Sequence, residues 1–216
     1  MIAVQLKIMV KIAVTGGAGS GKTSVCSRLK ALGLIVISAD DAAKEAVVPG
    51  SAALQKITGI FGEKILLPDG SLNRKMLRQI IMDDNAARKT LESILHHEIS
   101  KLILKNLVQL EKEGRPMVVI EVPLLFELDL QDQYDRVIVV SASRESRIQR
   151  LMERDHISRE SAEKLINLQM PEGKKIKGAD YVVRNEGCEE DLKGSVDVLF
   201  KKLTDTVNKQ KALDRQ

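Results

Sequence analysis

The sequence predicts an α/β protein, a three-layer sandwich in which a five-stranded parallel sheet is covered by helices on both faces. Three observations carry that expectation. Five apolar, β-rich runs, at residues 8–14, 34–38, 117–122, 136–141 and 181–183, are separated by longer stretches of helical periodicity. The runs are nearly continuous in apolar residues instead of alternating, as expected of strands buried on both sides. A glycine-rich turn joins the first run to the first helix, the place where sheets of this kind bind ligands.

Taken in order, the first strand leads through the glycine turn into a helix over residues 23–32, stopped by Gly33. Between Asp40 and Gly114 the strand signal disappears. That stretch is helical, with breaks at Pro49-Gly50, Gly62 and Pro68-Asp69-Gly70, and reads as an inserted subdomain over 41–114. Its longest helix, from about 85 to 113, carries one stripe of Leu91, Ile94, Leu95, Ile99, Leu102, Ile103 and Leu110. An arginine-rich helical segment over 143–178 separates the last two strands and reads as a lid. Residues 1–40, 115–142 and 179–216 make the core, closed by a helix from 189 to about 209 and a polar tail ending at Gln216.

The chain has 216 residues, 44% of them apolar and 30% charged, enough to bury a core without cross-links. Cys26 and Cys188 match no metal-ligand spacing and read as reduced thiols of a cytoplasmic protein. The apolar N-terminus lacks a basic n-region and a cleavage site, and Lys7, Lys11 and Arg115 interrupt every run that could cross a bilayer. Met9 opens MVKIAVTGG and reads as an alternative first residue, which would make 1–8 an extension. A net charge of +4 and five aromatic residues give no platform for nucleic acid but suit a small anionic substrate. No membrane partner is expected, and the chain is expected to be a monomer or a weak homo-oligomer.

Residues 16–23, GGAGSGKT, satisfy G-x-x-x-x-G-K-[ST] with Gly16, Gly21, Lys22 and Thr23. The strand before and the helix after complete the context of a three-layer P-loop NTPase fold. Glycines allow a tight turn that aims successive N–H groups at phosphates, and the helix N-terminus adds partial positive charge. Gly17, Ala18, Gly19, Ser20, Gly21, Lys22, Thr23 and Ser24 are therefore the candidate ATP-binding residues. Lys22 would bridge the β- and γ-phosphates, and the Thr23 hydroxyl would reach Mg²⁺. The dinucleotide fingerprint fails, because starting it at Gly17 or Gly19 places Lys22 or Ser24 at the last glycine.

Asp40 and Asp41 follow the second strand at the carboxyl edge of the sheet. A carboxylate there can orient an acceptor hydroxyl and take its proton. Capping a helix that begins near Ala42 would use either residue equally well, and the residues alone leave both roles open. Arg144, Arg147, Arg150 and Arg154 share one side of a helix, where guanidinium groups would close over phosphate or form a solvated face paired with Glu145 and Glu153. Glu121 lies in the third strand as either a magnesium-shell carboxylate or a group bonded within the sheet. His96, His97 and His156 have no metal-ligand companions.

From Lys11 to about Leu192 the chain resembles the dephospho-CoA kinases. The resemblance rests on VTGGAGSGKT, LGLIVISADDAAKEAVVPG, FGEKILLPDGSLNRKMLRQIIMDD, LHHEI, VPLLFE, RIQRLMERDHISRESAEKLINLQMP and ADYVVRNEG, in that order. It implies transfer of the γ-phosphoryl group of ATP, with Mg²⁺, to the ribose 3′-hydroxyl of dephospho-CoA. It also implies Asp40 as the acceptor-activating carboxylate, Lys22 as the phosphate lysine and Arg150 as the lid arginine. Asn185 and Gly187 fall where the family approaches adenine; Arg74, Arg78 and His96 fall in the region that takes dephospho-CoA. The chain departs from the family pattern at Ser38, Lys44 and His97. A nucleoside-monophosphate kinase shares the loop and arginines but needs no base at Asp40. A guanine-nucleotide switch would need N-K-x-D, and Asn208-Lys209 continues to Gln210-Lys211.

Overall fold

The computed structural model describes residues 9–82 and 84–213, so the extension over 1–8 and the end of the tail over 214–216 lie outside the described residues. Five strands form one sheet: β1 (Val10–Gly16), β2 (Val36–Ser38), β3 (Met117–Glu121), β4 (Arg136–Ser141) and β5 (Tyr181–Arg184). Their order is β2-β3-β1-β4-β5. The central strand pairs in parallel with two strands far along the chain, Ile12 beside Val119 on one side and Arg136 on the other. β4 pairs in parallel with β5. The sheet interior is dry: Ile12, Val14, Val119, Ile138 and Val140 are inaccessible to solvent, as the unbroken apolar runs require.

The helices are α1 (Lys22–Ala31), α2 (Ala39–Ala46), α3 (Ala52–Phe61), α4 (Arg74–Met82), α5 (Asn85–Lys112), α6 (Arg144–Asp155), α7 (Arg159–Asn167), α8 (Glu172–Lys177) and α9 (Glu189–Leu213). The chain forms two compact units, one of Ser38–Leu110 and the other of the residues up to Ile37 together with those from Glu111. In the sheet unit, Val25, Cys26 and Leu29 of α1 and Val196, Leu199 and Leu203 of α9 bury their apolar faces in one core with β1, β3 and β4. Arg28 of α1 donates two hydrogen bonds of 2.7 Å to Asp197 of α9.

The Ser38–Leu110 unit has its own core of Val47, Ile57, Phe61, Ile65, Leu77 and Leu91. The stripe expected on α5 contributes to it, with Leu91 buried and Ile94, Leu95, Ile99 and Leu102 packed at its margin.

Two local expectations change. The arginine-rich segment is three helices instead of one stretch. His156, at φ +51°, ends α6 in the left-handed region, and Ser158 caps α7 by accepting from the Ser161 N–H at 3.2 Å. Pro171 then starts α8, since proline has no N–H to lose at a helix entry. The closing helix reaches Leu213, a few residues beyond the expected end.

Lys175 of α8 is fully buried, with its Nζ 2.7 Å from Glu127 Oε1 in an ion pair. The same carboxylate oxygen accepts from the Met170 N–H at 3.0 Å. Burial alone would raise the Glu127 carboxyl, but the bonds from Lys175 and Met170 outweigh it and hold the group below its ordinary value of 4.5. The pair ties the connection after β3 to α8. Removing one partner of such a pair strands the other charge.

We therefore expect Lys175→Ala to destabilise the fold by about 3–5 kcal/mol at neutral pH. Because the folded carboxyl titrates below its unfolded value, the wild-type advantage is full above pH 4.5 and shrinks as pH falls through the folded value. Urea unfolding of both proteins at pH 7 and at stepped acidic pH measures this.

Candidate active site

The glycine turn between β1 and α1 uses backbone that other residues avoid. Gly19 and Gly21 sit at φ +75° and +93°. A side chain at Gly19 would strike the Arg147 backbone, and one at Gly21 would strike the Asn185 amide. Within the turn the Ser20 N–H donates to Gly17 O at 3.1 Å, and the Ser24 and Val25 N–H groups donate to Gly21 O. No side chain caps α1 and its first turn holds no acidic residue. The partial positive charge of this helix end therefore favours an anion.

Lys22 donates from Nζ to the carbonyls of Gly16 and Gly17, each at 3.1 Å, which tucks the ammonium against the loop. Thr23, in the first turn of α1, donates from Oγ1 to Glu121 Oε1 at 3.4 Å. Glu121 is the buried last residue of β3. One turn further along α1, burial and then the Glu121 charge push the Cys26 thiol far above its ordinary range, which keeps it protonated.

The four arginines on α6 have separate partners. Arg144 donates to Asn167 Oδ1 at 3.0 Å, and Arg154 pairs with its neighbour Asp155 at 2.7 Å. Arg150 reaches the loop from the outside, donating to Gly19 O at 3.4 Å and to Asn185 O at 3.0 Å. Arg147 is 5% exposed and lies with its guanidinium on Gly17, donating from Nε to Ala18 O at 2.9 Å. Burial pulls this guanidinium below its ordinary value, while Glu172, 3.8 Å away, opposes that shift. Glu145, expected to balance this face, instead forms a paired contact of 2.7 and 2.6 Å with Arg159 of α7.

Asn185, just past β5, is buried and donates from Nδ2 to Ser20 O at 2.9 Å. Its own N–H donates to Ser141 O at 2.8 Å, which fixes it to the end of β4. A cavity of about 630 Å³ opens between this loop and α1, and its lining includes Gly21, Thr23, Ser24, Arg150, Asn185 and Gly187. That volume suits a small organic ligand. The sheet unit thus brings Gly21, Thr23 and Ser24 of the phosphate loop together with Arg150, Asn185 and Gly187 around one opening.

In the Ser38–Leu110 unit, α2 begins at Ala39, directly after β2. The cap is Ser38, whose hydroxyl accepts from the Asp41 N–H at 3.2 Å. Neither Asp40 nor Asp41 caps this helix: the last strand residue is already extended, at φ −100° and ψ 124°, so no loop intervenes. Asp40 is left exposed in the first helical turn, where the helix dipole favours its charge.

Lys44 bonds to Asp41 Oδ1 at 2.7 Å, and that bond first, with a smaller contribution from Asp40, raises its pKa against the opposing charge of Arg74. Asp40, Lys44 and Arg74 are therefore electrostatic neighbours. Arg74 and Arg78 lie one turn apart on α4 and are exposed, and exposed His96 belongs to a different helix, α5.

Two contributors escaped the sequence. Gln169 accepts from the Ala18 N–H through Oε1 at 2.6 Å, and Glu172 accepts from the Ala142 N–H at 3.1 Å while facing Arg147. Both lie in the LQMPE run, where spacing carries no sign of a backbone partner elsewhere in the chain.

Gly21→Ala is expected to weaken nucleotide binding by tenfold or more, since the left-handed backbone alone costs about 1–3 kcal/mol and the methyl displaces Asn185. Titration calorimetry with ADP reads the change.

A family model described as dephospho-CoA kinase matches residues 10–191. The dephospho-CoA kinase of Geobacter sulfurreducens is 42% identical over 191 residues, covering 88% of this chain and 97% of that protein. The dephospho-CoA kinase of Syntrophotalea carbinolica is 39% identical over 195 residues, covering 90% and 92%. The solved structure of the dephospho-CoA kinase from Campylobacter jejuni superimposes with a TM-score of 0.71 at 28% identity, covering 92% of this chain and 99% of that one. With a matching model over most of its length, full-length relatives and a shared architecture, the chain belongs to the dephospho-CoA kinase family.

Proposed function

We propose that this protein phosphorylates the ribose 3′-hydroxyl of dephospho-CoA with ATP, giving CoA and ADP. The observation that carries the reading is the family match over residues 10–191 of a chain whose glycine loop opens beside a cavity of about 630 Å³. In this reading the loop of residues 17–24 cradles the phosphates and Lys22 leaves the Gly16 and Gly17 carbonyls for phosphate oxygen. Arg150 bears on the transferring group, Asn185 and Gly187 border the base, and the helices of 143–178 serve as the lid.

Asp40 accepts the proton of the 3′-hydroxyl as the O–P bond forms and the bond to the β–γ bridging oxygen breaks. Arg74, Arg78 and His96 contribute to holding dephospho-CoA, whose phosphates match exposed cations. Asp40 suits its role because it is exposed and the Ser38 hydroxyl relieves it of capping. Lys44, close to both Asp40 and Arg74, adds a point charge beside them.

The Thr23 hydroxyl and the Glu121 carboxylate are hard oxygen donors within 3.4 Å of each other, a set that fits Mg²⁺, with Thr23 as ligand and Glu121 behind it. Bound with ATP, the ion would neutralise charge on the β- and γ-phosphates.

ATP consumption by the purified protein, with and without dephospho-CoA, tests the assignment. Turnover is expected to depend on dephospho-CoA and to yield CoA, with AMP a poor competing acceptor; preference for AMP would sink the assignment. Asp40→Asn is expected to lower kcat by ~10²–10⁴ while changing the KM for ATP little.

A further inference from the structure

The apex of the phosphate loop is held by the arginine-bearing segment through a single peptide neighbourhood. Ala18 has both backbone groups engaged by side chains from that segment: its N–H donates to Gln169 Oε1 at 2.6 Å, and its carbonyl accepts from Arg147 Nε at 2.9 Å. Its methyl packs on the small core formed by Ile148 and Leu151 of α6 with Ala162 and Ile166 of α7. On either side, a side chain at Gly19 would strike the Arg147 backbone, and one at Gly17 would have to displace the Arg147 guanidinium. Arg147 is positioned in turn by Glu172, which also accepts from the Ala142 N–H ahead of α6.

We propose that Gln169 and Arg147 are positioning residues that hold the Ala18 peptide and so preform the phosphate loop before nucleotide arrives. The physical basis is preorganisation. A glycine-rich turn loses more conformational freedom on ordering than other chain, and fixing it beforehand removes that loss from the binding step. Clamping the backbone from both sides leaves the N–H groups of Gly19, Gly21 and Thr23 for phosphate, whereas a charged side chain placed in the loop would compete with it. Gln169 suits the task because its amide accepts a hydrogen bond without bringing a negative charge to a site built for anions. The inference rests on the nucleotide-binding reading of this loop, and not on which acceptor is phosphorylated.

Amide hydrogen exchange of the nucleotide-free protein, followed by NMR at Ala18 and at Ser20, tests the clamp directly. In Gln169→Ala, Ala18 is expected to exchange at least tenfold faster, while Ser20, bonded to the Gly17 carbonyl, keeps its rate. Gln169→Glu, which retains an acceptor oxygen, is expected to keep Ala18 protected. The affinity of Gln169→Ala for ADP, measured by calorimetry without acceptor, is expected to fall about five- to tenfold, the size of one hydrogen bond. In steady state the KM for ATP is expected to rise, with the KM for dephospho-CoA unchanged. Unaltered Ala18 exchange in Gln169→Ala, or faster exchange with unaltered ADP affinity, would overturn the proposal. ADP affinity and exchange are read without acceptor, so a wrong acceptor assignment leaves both outcomes standing.

Discussion

The sheet unit depends on one constraint, a backbone turn that must present several N–H groups to an anion without side chains of its own. Gly19 and Gly21 meet the conformational requirement, but they also remove the side chains that would normally pin the turn in place. The surrounding elements supply that support. Asn185 holds the Ser20 carbonyl, Arg147 and Gln169 hold Ala18, Lys22 tucks back onto Gly16 and Gly17, and Arg150 touches Gly19. The supports from outside the turn given by Asn185, Arg147, Gln169 and Arg150 come from α6, the α7–α8 connection and the segment after β5. The buried pair of Lys175 and Glu127 extends the same logic, since it fixes α8, which carries Glu172, to the connection after β3.

What was legible in the sequence follows from how local each signal is. Parallel strands buried on both faces write themselves as apolar runs, and the phosphate loop writes itself as spaced glycines ending in Lys22 and Thr23. The length of α5 was readable because its apolar stripe has the helix period over many turns. Asp40 was harder: two adjacent acids before a helix look like caps, and only the backbone shows that the last residue of β2 already does that work through the Ser38 hydroxyl. Arg150 was singled out by family resemblance. Arg147, on the same helix face, is the more deeply buried of the two, and spacing alone treats them alike.

Gln169 and Glu172 were not legible at all. A side chain accepting from a backbone N–H far along the chain leaves no periodicity, no charge pattern and no motif. The same holds for the bond from Asn185 to Ser20. These contacts depend on the strand order, because β1 lies beside β4 and the segments following both strands are thereby brought to one edge. The sequence predicts that such an edge exists and that ligands gather there; which uncharged side chains support it is decided by packing.

The strand order also sets the timing of assembly. β1 has β3 and β4 as its neighbours, and both are encoded after the residues of the Ser38–Leu110 unit. On a ribosome adding about 5–20 residues per second, roughly a hundred residues emerge after β1 before its first partner strand does. In that interval the central strand of the sheet has no ladder to join, while Ser38–Leu110 already contains a complete core. The early product of synthesis is thus a finished helical unit trailing an unpaired strand and a phosphate loop whose supports have not yet been made. Loop order arrives last, with α6, Gln169 and Asn185, so ATP cannot meet a competent site on an incomplete chain.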